Sequence, residues 1–204
     1  MRFSVSTTAA AAAAGDLLVF PVFRIDDGPD LGSLLAGRQG AARRTLSKAV
    51  ADSGFSGKAE SMLPIHLPDV KAGWVLLIGL GSRDELGLQT LRKVAGRAAK
   101  KARAMEATKV LVQVPPRKAV GFDDLTFGRC WAEGSEMALG PSGGLKTDRK
   151  KSPVPRAWVL FTDAKRASAL RRGCAEADAF MAGCLFAREL VDLPPNILTP
   201  KDLA

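Results

Sequence analysis

The sequence contains no tyrosine, one histidine and three cysteines, and it has no long apolar run. Any Ser-His-Asp or Cys-His arrangement would therefore have to use His66, and a metal site built on several histidines is excluded. His66 stands in Leu-Pro-Ile-His-Leu-Pro with no nucleophile motif beside it, and reads as a strand or turn residue. Cys130, Cys174 and Cys184 are odd in number and match no zinc-finger or CxxC spacing, which points to structural thiols in a reducing, cytoplasmic setting. If Cys174 and Cys184 share a helix they are about 15 Å apart, too far for a disulfide. Nothing approaches the roughly 20 apolar residues of a membrane span. The alanine run Ala9 to Ala14, preceded by Thr7 and Thr8, is too weakly apolar for a secretory signal. The expectation is a soluble chain with no membrane partner.

What is present suits a layered domain. Of the 204 residues, 47% are hydrophobic, enough to bury a core without staples. Apolar runs at 16–23 and 74–79 predict buried strands, joined by 108–114 and 156–161; Phe3 and Val5 also alternate with polar neighbours. A weaker strand at 61–67 carries Pro64 and suits an edge. Between them the spacing predicts helices over 41–51, 88–105, 122–138 and 163 to about 191. Leu88, Leu91, Ala95, Ala98, Ala102 and Met105 mark the inner face of the second, and Ala167, Leu170, Cys174, Ala177, Met181 and Leu185 that of the last. Such alternation means an α/β domain over 1–191. The segment 192–204, with Pro194, Pro195 and Pro200, reads as a linker into the start of a further domain, poorly packed by itself.

Few motifs carry chemistry. Gly79-Leu-Gly81 follows a strand, but Asp84 stands where a dinucleotide fingerprint needs its third glycine, so a turn is the simpler reading. Gly140 to Thr147 nearly spells a phosphate loop, yet Leu145 replaces its second glycine and a helix, not a strand, precedes it. The acid pairs Asp26-Asp27, Asp84-Glu85 and Asp123-Asp124 read as turn or helix-start residues. The net charge of +9 is concentrated on one helix, where Arg92, Lys93, Arg97, Lys100, Lys101 and Arg103 occur with no acid between Leu88 and Met105. That is a solvated face, or a phosphate-contacting surface for duplex DNA that would weaken steeply with salt.

The segment from Ala187 to Ala204, through Arg188, Leu190, Pro195, Asn196, Thr199 and Pro200, resembles the opening of the catalytic domain in the leucyl aminopeptidase family, the cytosol aminopeptidases. Val75 to Gly81 followed by Leu91-Arg92, and Ala132 to Ala138, resemble that family's N-terminal domain in order and spacing. The resemblance departs after Ala138, where the family continues with aromatic residues and this chain with Leu-Gly-Pro-Ser-Gly-Gly. It implies a three-layer, macro-domain-like α/β fold, with a mixed sheet flanked by helices, joined to a catalytic domain that holds two divalent cations, manganese or zinc, and assembles into homo-hexamers acting on peptides. The family's catalytic and metal-binding motifs are absent here, so no catalytic and no metal residue is carried over. Thr162-Asp163-Ala164 shares letters with one such motif, but Lys165 replaces its acid. Implied is an assembly or regulatory domain, inactive alone. DNA binding, known for some bacterial members, and a macro-like nucleotide site are the alternatives.

Overall fold

A strand buried on both faces can be apolar without alternation, and the middle of this sheet is written that way. The computed structural model describes residues 1–26, 28–35, 40–140 and 154–194. The strands are β1 (Arg2–Ser6), β2 (Leu17–Ile25), the two-residue β3 (Gly28–Pro29), β4 (Met62–Ile65), β5 (Trp74–Gly81), β6 (Lys109–Gln113) and β7 (Ala157–Phe161). They lie in the order β1-β7-β6-β2-β5-β4, with β3 folded back on β2. Neighbours are parallel except β4 on β5 and β3 on β2. Residues 17–23 of β2 and 75–81 of β5 are all buried. β6 pairs with β2 only from Leu17 to Val19, which leaves Pro21 beyond that ladder. Pro64 sits on β4, an edge strand as its composition predicts. The alternation of Phe3 and Val5 becomes β1, the opposite edge.

The helices are α1 (Gly32–Leu35), α2 (Gly40–Ser53), α3 (Leu88–Ala104), α4 (Asp124–Leu139) and α5 (Ala164–Asp192). Asp123 and Asp163 cap the last two, each accepting from the backbone N–H three residues on, Thr126 at 2.8 Å and Arg166 at 3.2 Å. On one face of the sheet α3, α4 and α5 bury Leu91, Phe127, Trp131, Leu170 and Met181, the first four within one core with Trp158 and Leu160 of β7. On the other, Leu34 and Leu46 of α1 and α2 join Phe55 in packing on Leu18, Phe20 and Leu77. The result is the expected mixed-sheet, three-layer α/β fold. Two inner-face assignments shift: Leu88 is 37% exposed at the mouth of α3, and Leu185 is only half-buried. α4 is buried nearly all round, from Phe127 to Glu136 save half-exposed Arg129, because it lies between α3 and α5.

That sandwiching depends on close backbone approach. A methyl group at Gly134 of α4 would meet the Arg92 carbonyl oxygen of α3, and one at Gly173 of α5 would meet the Leu125 carbonyl oxygen of α4. At the amino ends of the central strands one side chain ties β2 to β6. Asp16 Oδ2 accepts from Thr108 N, Thr108 Oγ1 and Lys109 N, each at 2.8 Å, and these bonds, the Lys109 amide first, hold its carboxyl below the usual range.

Candidate functional site

The six cations of α3 do not form one free patch. The helix buries Leu91, Val94, Ala95, Ala98, Ala99 and Ala102 along one arc, which turns the cations to the opposite side. Arg92 Nε donates to Glu133 Oε2 of α4 at 2.6 Å, a bond that raises the arginine further above its ordinary value. Glu133 also receives Arg129 at 3.5 Å. Arg97 Nε donates to Glu60 Oε2 at 2.9 Å. Among the described residues Lys93, Lys100, Lys101 and Arg103 have no ion pair. The sequence could not reveal the two acids that engage Arg92 and Arg97, because both arrive from other elements. A groove of about 790 Å³ runs beside these cations, with Met137 and Phe180 on its far wall.

α5 divides at Met181. Up to there it contributes Ala167, Leu170, Gly173, Cys174, Ala177 and Met181 to the interior. Beyond it no described residue is buried, although the helix continues to Asp192. Phe180 is 62% exposed, Phe186 63% and Val191 84%, and Met137 beside them 43%. Arg188 Nη1 ties this end to α4, donating to the Met137 carbonyl oxygen at 3.2 Å, and half-buried Leu185 lies against Gly140.

Among the described residues the buried carboxyls all sit on α4, and one of them, Glu136, has no guanidinium partner. Asp124 accepts from Arg166 Nε at 2.8 Å, while Arg166 Nη2 reaches the Pro115 carbonyl oxygen at 2.9 Å. Glu136, 5% exposed, is pushed up to about 7 by burial, against the pull of the Met1 ammonium 3.9 Å away and with the help of Asp178. Burial likewise pushes the Cys174 thiol up to about 12. Sequence reasoning read Asp124 as a helix-start residue, which it is, but missed its burial and that of Glu133 and Glu136, since a helix buried nearly all round has no solvent face against which an inward carboxylate stands out.

Gly79 is explained by packing: a side chain there would collide with the Lys58 carbonyl oxygen, and Gly81 has φ +81°. His66 is exposed, its ring edge-on to Trp74 at 6.3 Å. The phosphate-loop-like stretch 141–147, Asp27 and residues 195–204 lie outside the described residues. Among the described residues no group of three or more His, Cys, Asp or Glu side chains converges as a metal site. No described helix is long and apolar enough to cross a membrane.

A family model described as the N-terminal domain of the cytosol aminopeptidase family matches residues 19–146. A probable cytosol aminopeptidase of Thermosynechococcus vestitus is 31% identical over 208 aligned residues, which are 100% of this chain and 40% of that protein. Its counterpart in Azotobacter vinelandii is 28% identical over 184 residues, 90% of this chain and 37% of the relative. This chain thus spans about two fifths of the length of these curated relatives. Among solved structures, a mutant of tomato leucine aminopeptidase superposes with a TM-score of 0.80 at 22% identity, over 99% of this chain and 40% of that one. The bottromycin maturation enzyme BotP, also solved in complex with Mn, matches with TM-scores of 0.61 and 0.60 at 22% identity, over 94% and 93% of this chain and 35% and 34% of the BotP chains.

Proposed function

Since the chain belongs to the cytosol aminopeptidase family, whose N-terminal domain it matches over residues 19–146, we propose that it serves as the non-catalytic assembly or regulatory unit of a two-metal exopeptidase, docking on the catalytic domain through the far end of α5. The observation that carries this is the apolar overhang: Phe180, Phe186 and Val191 stand 62%, 63% and 84% exposed on a helix that leaves its own core at Met181. An apolar surface rimmed by polar residues is the mark of a docking site. Residues 192–204 would connect the two domains, and the whole would act on peptides in the cytoplasm, as a homo-hexamer.

Two manganese or zinc ions would polarise the scissile carbonyl and activate a bridging water. The described residues do not fit that role: the carboxylates of Asp124 and Glu133 are held by arginines, and no group of three or more His, Cys, Asp or Glu side chains among them could hold a metal ion. The metals would belong to the other domain. Purified with manganese or zinc, the 204-residue chain should release no leucine from leucine anilides above a mock preparation. Chelator-sensitive turnover that follows the protein would overturn this.

A second reading, duplex DNA on α3, is favoured by one observation: Lys93, Lys100, Lys101 and Arg103 have no ion pair among the described residues. Binding should tolerate sequence and fall steeply between low and physiological salt. The Arg97→Glu, Lys101→Glu double variant should abolish it; retention would remove α3 from consideration.

A further inference from the structure

We propose that the crevice at the carboxyl ends of β2, β6 and β7 binds a small zwitterion with an apolar side chain, a free amino acid or a short peptide, at a site separate from the docking end of α5.

The topology creates the crevice. β2 and β6 are parallel neighbours, but the chain leaves β2 for β5 through α1 and α2 on one face, and leaves β6 for β7 through α4 on the other. Connections that diverge from adjacent strands open a gap at their carboxyl ends, where open parallel sheets hold ligands. Here the gap measures about 810 Å³, within the span of small-molecule sites. Phe20, Phe23, Val114, Pro115 and Phe161 supply apolar walls. Thr162 lines it as well; the residue is 8% exposed, and its buried Oγ1 has no hydrogen-bond partner. A hydroxyl desolvated without a partner costs free energy that a ligand's polar atom would recover.

Charge selects among ligands. The ionic groups on the lining are Arg83, Arg166, Asp30 and Asp163, two of each sign. A phosphate would face both carboxylates, whereas a zwitterion finds a counter-charge for each end. Arg166 is fixed by Asp124 and the Pro115 carbonyl and stiffens the wall. Arg83 pairs with Asp30 at 2.9 Å and lies over the Phe23 ring, while Asp30 also accepts from Gly32 N; with the arginine 49% exposed, a ligand's carboxylate and ammonium would compete for the two partners.

Titration calorimetry on the 204-residue chain tests this without any peptidase readout, so its failure would leave the family reading untouched. L-Leucine and L-phenylalanine should bind saturably, and L-leucine at least about tenfold more tightly than 4-methylpentanoate or isoamylamine, which each lack one of its charges. Thr162→Val should weaken binding by about tenfold with the melting temperature unchanged or raised, because the hydroxyl has no partner to lose in the free chain. Arg83→Ala should weaken it too. Absence of saturable binding, preference for AMP over the amino acids, or indifference to Thr162→Val would each overturn the proposal.

Discussion

Gly173 and Gly183 occupy the same helix three turns apart and live in opposite surroundings. A methyl at Gly173 would collide with the Leu125 carbonyl oxygen, while one at Gly183 would meet nothing within 4 Å. The first part of α5 contributes to the core of this domain; the second is exposed or half-buried. The contrast shows that the continuous helix is not one structural unit. Residues up to Met181 contribute to the core, and among the described residues none beyond it is buried.

The cysteines sharpen that contrast most. Cys174, on the anchored half, has its thiol pushed up to about 12 from an ordinary value of 9.0, which cuts its thiolate by roughly a thousandfold at neutral pH. Cys184 lies half-buried on the overhang. A disulfide reagent at pH 7.5 should label the folded chain at Cys184 first by a wide margin, and Cys184→Ser should remove the fast phase. Equal rates at the two positions would mean that the halves do not differ.

Gly173→Ala should come next, destabilising the chain by about 3 kcal/mol, since overpacking against backbone cannot be relieved by a rotamer change. Denaturant unfolding with an unchanged slope would measure it. A loss under about 0.5 kcal/mol would mean that α4 and α5 are not as close as described.

Glu136 probes the same anchored half through pH. Its folded value, about 7 against an ordinary 4.5, means that the folded chain holds a proton which the unfolded chain releases. The resulting stabilisation is therefore complete below about 4.5 and is lost as pH rises through 7, by at most about 3 kcal/mol. The Met1 ammonium and Asp178 face this carboxyl, and Cys174 lies close by. Glu136→Gln should flatten the pH profile of unfolding between 5 and 8. An unaltered profile would place the titration elsewhere.

The smallest effect is of opposite sign. Gly183→Ala should raise stability by up to about 1 kcal/mol, the helix-propensity gain at an exposed position. A loss there would reveal that the overhang is packed after all.

The sequence made the layers readable because the strands β2, β5, β6 and β7 are apolar runs with clear breakers, and because α3 keeps a helical stripe. Pro64 even marked the edge. The division of α5 was not readable: the spacing Ala177, Met181, Leu185 runs on past the last buried residue, and only the arrangement of α4 decides where the stripe stops being covered. The same holds for the α3 cations, of which two are engaged by Glu60 and Glu133 from distant positions. The crevice at the strand ends was illegible for a related reason, being assembled from four stretches and the separate residues Asp30 and Arg83, which share no motif.

One further consequence concerns time. β1 pairs with β7, so that Arg2 lies opposite Ala157. β1 therefore cannot be placed until β7 has been made, an interval of roughly 10–30 s at ordinary rates of synthesis. Among the described residues its other edge is unpaired in the finished sheet as well. Throughout that interval Phe3 and Val5 are exposed to any other strand edge nearby, so the nascent chain is open to mispairing at β1.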